Sequence, residues 1–154
     1  MASTLRKMEG FLLSVSTIAP AKIEAYRATH YRVCAPGKAF TLLIGIPSAE
    51  LSQLYLATGA SCALFITADN PFGKMQSDGE NLAAHSILGE ELRALTNHIY
   101  DGQGGDPTGV WPEERSYLAL GIGRQTSEDL GECAHQDAVV WAGDDGIPQL
   151  LCLR

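Results

Sequence analysis

Apolar residues in this chain come in short blocks separated by glycine, proline and small polar residues, the rhythm of strands alternating with helices. Helical spacing runs over residues 21–28 and is followed by a short edge strand at 31–34, a turn at Pro36 and Gly37, and an apolar strand at 40–46. Ser48 reads as a helix cap. Leu51, Leu54 and Tyr55 recur on one helical face, and Gly59 stops that helix before a second apolar strand at 62–67. Ser77 and Glu80 form an S-x-x-E capping box, in which each side chain accepts a backbone N–H that the first turn leaves unpaired. The longest helix starts there, with Leu88, Leu92 and Leu95 on one face. Residues 98–115 contain Gly102, Gly104, Gly105, Pro107, Gly109 and Pro112 and read as one long irregular loop, of the kind that more often carries function than fills space. A strand at 116–122, a helix at 127–134, a strand at 138–142, a turn through Asp144, Asp145 and Gly146, and a last strand at 149–153 complete the pattern.

Two strand–helix–strand units made of continuous apolar runs predict parallel crossovers with helices on both sheet faces. The expected fold is therefore α/β: one domain over residues 1–154, with a mixed, mostly parallel sheet and a C-terminal hairpin, residues 1–20 being peripheral. The length of 154 residues suits one hydrophobic core.

Charge alters this picture in one respect. Seven basic and four acidic side chains precede Met75, whereas four basic and fourteen acidic ones follow from there on, for a net charge of -7. That balance argues against nucleic-acid binding, which needs clustered Lys and Arg. No apolar run reaches the roughly 18–20 residues that span a bilayer, so no membrane partner is expected. At the N-terminus Arg6, Lys7, the apolar Phe11, Leu12 and Leu13 and the A-x-A at Ala19–Ala21 imitate an export signal. Glu9 interrupts its basic region and Ser14, Ser16 and Thr17 dilute its apolar one, so a cytoplasmic location is the expectation. Cys34, Cys62, Cys133 and Cys152 form no C-x-x-C pair; Cys34, Cys62 and Cys152 lie in apolar strands, where thiols behave as small buried hydrophobes, and all four are expected reduced.

Candidate chemistry collects after the strand at 62–67. The turn Thr67, Ala68, Asp69, Asn70, Pro71, Phe72 stands beyond a strand's carboxyl end, where open α/β sheets bind ligands. Asn81 and His85 project on the same face of the long helix as Leu88 and Leu92, so both should point inward, and a buried Asn needs partners; the 69–72 turn is the expected one. Asn81 then either clamps that turn or offers its amide to a ligand. Glu80 is tied to its cap, yet Glu113 or Glu114, at the end of the long loop, could bring a second carboxylate to it, and such a pair would do acid–base work or hold a hard cation. Solvation in the loop is the simpler account of Glu114. Gln136, before the strand at 138–142, has an amide suited to packing or to recognition. The Gly102–Gly109 stretch matches no nucleotide-binding pattern, nor does any cysteine–histidine spacing match a structural zinc site, so no metal ligand and no cofactor is assigned.

Tyr26, Thr29 and Tyr31, the I-T-A-x-N-P run at Ile66 to Pro71, Ser77 with Glu80 and Asn81, W-P-E at Trp111 to Glu113, the strand 118–122, and Gln136 with Ala138 together resemble a bacterial family of uncharacterised domains, domain-of-unknown-function family 3293. Asp69 departs from the aromatic residue expected before Asn70. The resemblance covers about residues 26–142 and implies a small bacterial cytosolic domain with no established activity. It also groups Asn70, Glu80, Asn81, Trp111, Glu113 and Gln136 as one related set. Small-molecule or partner recognition through a polar pocket built from that set is the leading expectation. An enzyme using Glu80 and Glu113 comes second, and a structural or regulatory interaction protein third.

Overall fold

A computed structural model describes residues 16–109 and 112–154. In chain order the elements are α1 (Pro20–Ala28), β1 (His30–Ala35), β2 (Lys38–Leu42), α2 (Ala49–Thr58), β3 (Ala63–Thr67), a single 3-10 turn (Pro71–Gly73), α3 (Asp78–Arg93), β4 (Ile99–Gly105), β5 (Glu114–Leu120), α4 (Arg124–Cys133), β6 (Ala138–Ala142) and β7 (Gln149–Cys152). The seven strands form one sheet in the order β2-β1-β4-β5-β3-β6-β7, curled into a half-barrel. Every neighbouring pair in it is antiparallel.

This corrects the mostly parallel sheet that the sequence predicts. The strands joined by helices do point the same way: following the antiparallel pairings across the sheet, β2 and β3 are codirectional, as are β3 and β4, and β5 and β6. Each such pair has at least one oppositely directed strand inserted between its members, so no codirectional pair shares hydrogen bonds. A local apolar pattern specifies that a helix returns the chain to a parallel direction; it does not specify which strand fills the gap. Continuous apolar strands were read correctly as strands covered on both faces. Tyr31, Val33, Phe65, Leu118 and Leu120 pack on one face with Leu51 and Tyr55 of α2, and Leu64, Ile66, Tyr117 and Ala119 on the other with Leu88 and Leu92 of α3.

Two further readings change. The 98–115 loop resolves into strand β4 followed by a shorter connection, and β1 is an inner strand, β2 being the edge. Gly102 explains why a strand can form in so glycine-rich a segment. A Cβ there would stand 2.8 Å from the Arg32 carbonyl oxygen and 2.8 Å from the Phe65 ring, so the glycine is the vacancy into which that ring and the neighbouring strand fit. Cys34 and Cys152 prove exposed, because strand alternation turns them away from the core, and the four cysteines are free thiols. Leu95 lies beyond the end of α3 and is exposed. The cap of α3 is as read: Ser77 accepts from the Glu80 N–H and Glu80 from the Ser77 N–H, both at 3.1 Å. Among the described residues no helix is long and apolar enough to cross a membrane.

Gly102→Ala should cost about 1–3 kcal/mol by overpacking against a backbone carbonyl that cannot yield. Urea denaturation checks this; an unchanged midpoint would show that β4 has slack the geometry does not suggest.

Candidate functional site

The chain leaves β3 through Thr67 and at once enters a strained turn. Asn70 (φ 48°) and Phe72 (φ 54°) both adopt the left-handed conformation, which asparagine tolerates and phenylalanine does not favour. Side-chain bonding holds the turn. Asn81, buried on the first turns of α3, accepts the Asn70 N–H on Oδ1 at 2.9 Å and donates Nδ2 to Asn70 Oδ1 at 3.0 Å. Asn70 Oδ1 accepts a second bond from the Gln76 N–H at 3.0 Å, and Gln136 Nε2 donates to the Asp69 carbonyl at 3.2 Å. Asn81 therefore spends its amide on the turn. One donor of the network remains directed elsewhere: Asn70 Nδ2 points to Glu114 Oε2 at 3.2 Å.

Glu114 opens β5, and strand phase decides its role. Residues two apart share a face, so Glu114 and Ser116 look toward the face of Leu118, whereas Glu113 and Arg115 look toward the face of Tyr117. Glu113 is exposed and pairs with Arg32 at 2.5 Å. Glu114 turns inward, with no cation in contact, and burial pushes its carboxyl up to about 7 from the ordinary 4.5; the Asn70 hydrogen bond and the more distant Lys22 charge pull the other way, and Asp69 adds to the rise.

It faces a pocket of about 200 Å³ between α1 and the pocket-side ends of β1, β4, β5 and β3. Lys22, Ala25 and Tyr26 of α1, continued at the same spacing by Thr29 just past its end, make one wall; Tyr31, Phe65 and Leu150 make the apolar body of the others. No residue of α1 is fully buried, since its inner stripe borders the pocket and not the core. The helix is held at its Asp137 end: Asp137 accepts from Lys22 Nζ at 2.5 Å, Tyr26 Oη at 2.8 Å and Arg154 Nε at 2.6 Å. Those three bonds outweigh burial and lower the Asp137 carboxyl below its usual range. Lys22 Nζ also donates to the Phe72 carbonyl at 3.1 Å, tying α1 to the strained turn.

On the other side of Asn70, Met75 and Pro112 lies a shallow polar groove lined by Asp69, Asp78, Asn81, Gln103, Glu113 and Arg115. Asp69 is almost wholly buried; Oδ2 accepts the Arg115 N–H at 3.0 Å and Oδ1 has no partner. Burial raises its carboxyl despite that bond. His85, stacked on Tyr117 with ring centroids 4.1 Å apart, likewise leaves Nδ1 unbonded, and burial lowers its pKa.

Of the residues the sequence singles out, Asn70, Asn81 and Gln136 thus meet in one network, and Asn70 and Gln136 also line the pocket. Glu113 lies on the opposite face with Arg32, and Glu80 is exposed on its cap, so the structure does not bring these two carboxylates together. Trp111 lies outside the described residues. Among those described, no three His, Cys, Asp or Glu side chains gather in an arrangement that could hold a metal ion. Sequence reasoning set Glu114 aside as a solvated loop residue and did not single out the α1 stripe. The i, i+3, i+4, i+7 spacing of Lys22, Ala25, Tyr26 and Thr29 was visible, as was the alternation of Glu114 and Ser116 with Leu118 and Leu120.

Fold and site together define a small antiparallel-sheet α/β domain with a half-open amphipathic pocket backed by an asparagine-clamped turn. Residues 66–139 match the family described as "Protein of unknown function (DUF3293)", in agreement with the resemblance that the sequence carries. No curated protein and no solved structure gives a significant match. The matched segment begins in β3 and ends in β6, so it includes the clamp, Glu114 and Gln136 but leaves α1, the opposite wall of the pocket, outside.

Asn81→Ala leaves the Asn70 N–H unpaired in the interior and takes from Asn70 Oδ1 one of its two bonds, and should cost about 2 kcal/mol, or roughly 4–8 °C in Tm. A loss below about 0.5 kcal/mol, the level of an ordinary surface change, would dismiss the clamp. Glu114 makes a separate prediction. Its folded-state pKa is raised, so between pH 4.5 and about 7 the native state holds a proton that the unfolded chain has released, and the contribution of this group to stability falls as pH rises through that window. Glu114→Gln removes the effect while keeping an acceptor for Asn70. Relative to the parent it should gain stability between pH 5 and pH 8, by at most about 3 kcal/mol; a difference independent of pH in paired urea titrations would contradict the assignment.

Proposed function

We propose that the domain recognises a small molecule in the pocket between α1 and the sheet, with Glu114 and Asn70 as its polar anchors and Tyr31 and Phe65 as its apolar bed. The observation that carries this reading is Glu114 itself: a largely buried carboxyl, opening on a cavity, with a single, neutral hydrogen-bond partner among the described residues. Burying an ionisable group without a counter-charge costs stability, and such costs are concentrated where a site needs the group. Gln136 and Asn81 act through the turn they hold. The volume lies below the roughly 300–1,000 Å³ of pockets for drug-sized ligands, which favours a small metabolite.

Acid–base catalysis is a second reading, and one observation favours it: a carboxyl titrating near 7 is matched to proton transfer at neutral pH. It places the work on Glu114 in place of Glu80 and Glu113. Both readings use the same pocket and share a first test. Ala25→Trp extends a ring from α1 across the cavity without touching the clamp. The expected outcome in a fragment screen read by protein NMR is that hits perturbing Tyr31, Phe65 and Ser116 in the parent vanish in the variant, with Tm within about 4 °C, equivalent to about 1 kcal/mol. Hits that persist unchanged would move the site elsewhere.

A further inference from the structure

Resting on that pocket reading, we infer that the ligand is an organic cation, a protonated primary amine on a short apolar body. The argument starts from how the chain distributes its counter-charges. Asp137, just before β6, collects Lys22 and Arg154, Asp69 and Asp78 share Arg115, and Glu113 holds Arg32. Glu114, immediately after Glu113 and more deeply placed, has no ion pair among the described residues; it receives only an amide hydrogen bond. Lys22 is the cation on its wall, and that ammonium already bonds Asp137 and the Phe72 carbonyl.

Tyr26, Tyr31, Phe65 and Leu150 supply aromatic and aliphatic surface beside the small polar Thr29, Thr67 and Ser116, and the Tyr31 hydroxyl is committed to the Tyr26 carbonyl. An ammonium at Glu114 would complete the missing pair with a charge-assisted bond in a half-buried setting, where such bonds count most, while its carbon body lay against the rings. A carboxylate or phosphate ligand would instead meet Glu114 as a like charge. The groups facing Glu114 are Asp69 from the turn, Lys22 from α1, and the hydroxyls of Tyr26 and Tyr31, both tyrosines being held neutral by burial.

The test uses 2-phenylethylamine and butylamine beside their neutral counterparts, 2-phenylethanol and butanol, in calorimetric and NMR titrations of the full chain at pH 7. The amines should bind at least ten times more tightly than the alcohols, and Glu114→Gln should erase that preference while leaving alcohol binding in place, as expected for one charge-assisted hydrogen bond. Binding of an amine should also release protons, up to about half a proton near pH 7, because the ammonium shifts Glu114 toward its ionised form. Calorimetry in two buffers of different ionisation enthalpy reads this on the unmodified chain, independently of how the variant folds. Alcohols that bind as tightly as amines, or proton uptake in place of release, would overturn the cation assignment and leave the pocket reading standing. If no compound of either kind perturbs the pocket signals, both readings fall.

Discussion

The reciprocal pair of hydrogen bonds between Asn70 and Asn81 is the constraint on which the rest of the site depends. A turn with two non-glycine residues in the left-handed region stores strain on the order of 1–3 kcal/mol at each, and it persists only where surrounding bonds over-determine it. Here the bonds come from α3 through Asn81, from the connection before β6 through Gln136, and from α1 through Lys22 on the Phe72 carbonyl. Because the same Asn70 amide ends on Glu114, the conformation of the turn also fixes how far that carboxyl is drawn from solvent. Strain, burial and the raised Glu114 pKa are consequences of one arrangement.

Much of this was legible from residue order. The capping box at Ser77 marks where α3 starts, and helical spacing then requires Asn81 to face inward with Leu88 and Leu92. A buried amide next to a polar turn leaves few partners, so its contact with residues 67–72 follows from sequence. The sheet did not follow. Codirectional strands linked by helices were recognised, whereas the inserted antiparallel strands arise from pairings between segments far apart in the chain, such as β3 with β5 and β1 with β4. Those pairings are decided by core packing on both faces. In β4, they also depend on Phe65 filling the space above Gly102, which made a strand look like a loop.

The misassignment of the carboxylates has a similar origin. Glu113 and Glu114 are adjacent, equally charged and flanked by Pro112 and Arg115, so composition treats them alike. The alternation of β5 separates them: one phase of the strand continues into Leu118 and Leu120, and that phase contains Glu114. Carrying the period-two pattern back from the apolar core, instead of forward from the loop, would have selected the inward residue. Resemblance to the family drew attention to the W-P-E run and hence to Glu113, and physical alternation corrects the choice by one position.

The same logic bears on why α1 has so little buried surface while making so many specific contacts. Its stripe of Lys22, Ala25, Tyr26 and Thr29 could have been made apolar and packed closed onto Phe65 and Leu150, which would add hydrophobic stabilisation at about 25 cal/mol per Å² buried. Instead the helix is pinned on its Asp137 side by Lys22 and Tyr26, and beside β1 by the Tyr31 hydroxyl on the Tyr26 carbonyl. Polar struts hold a fixed spacing where apolar packing would have closed the gap. A cavity kept open by directional bonds, with an uncompensated carboxyl on its wall, forgoes stability at two places that face one another, and a ligand supplying both apolar surface and positive charge would recover both.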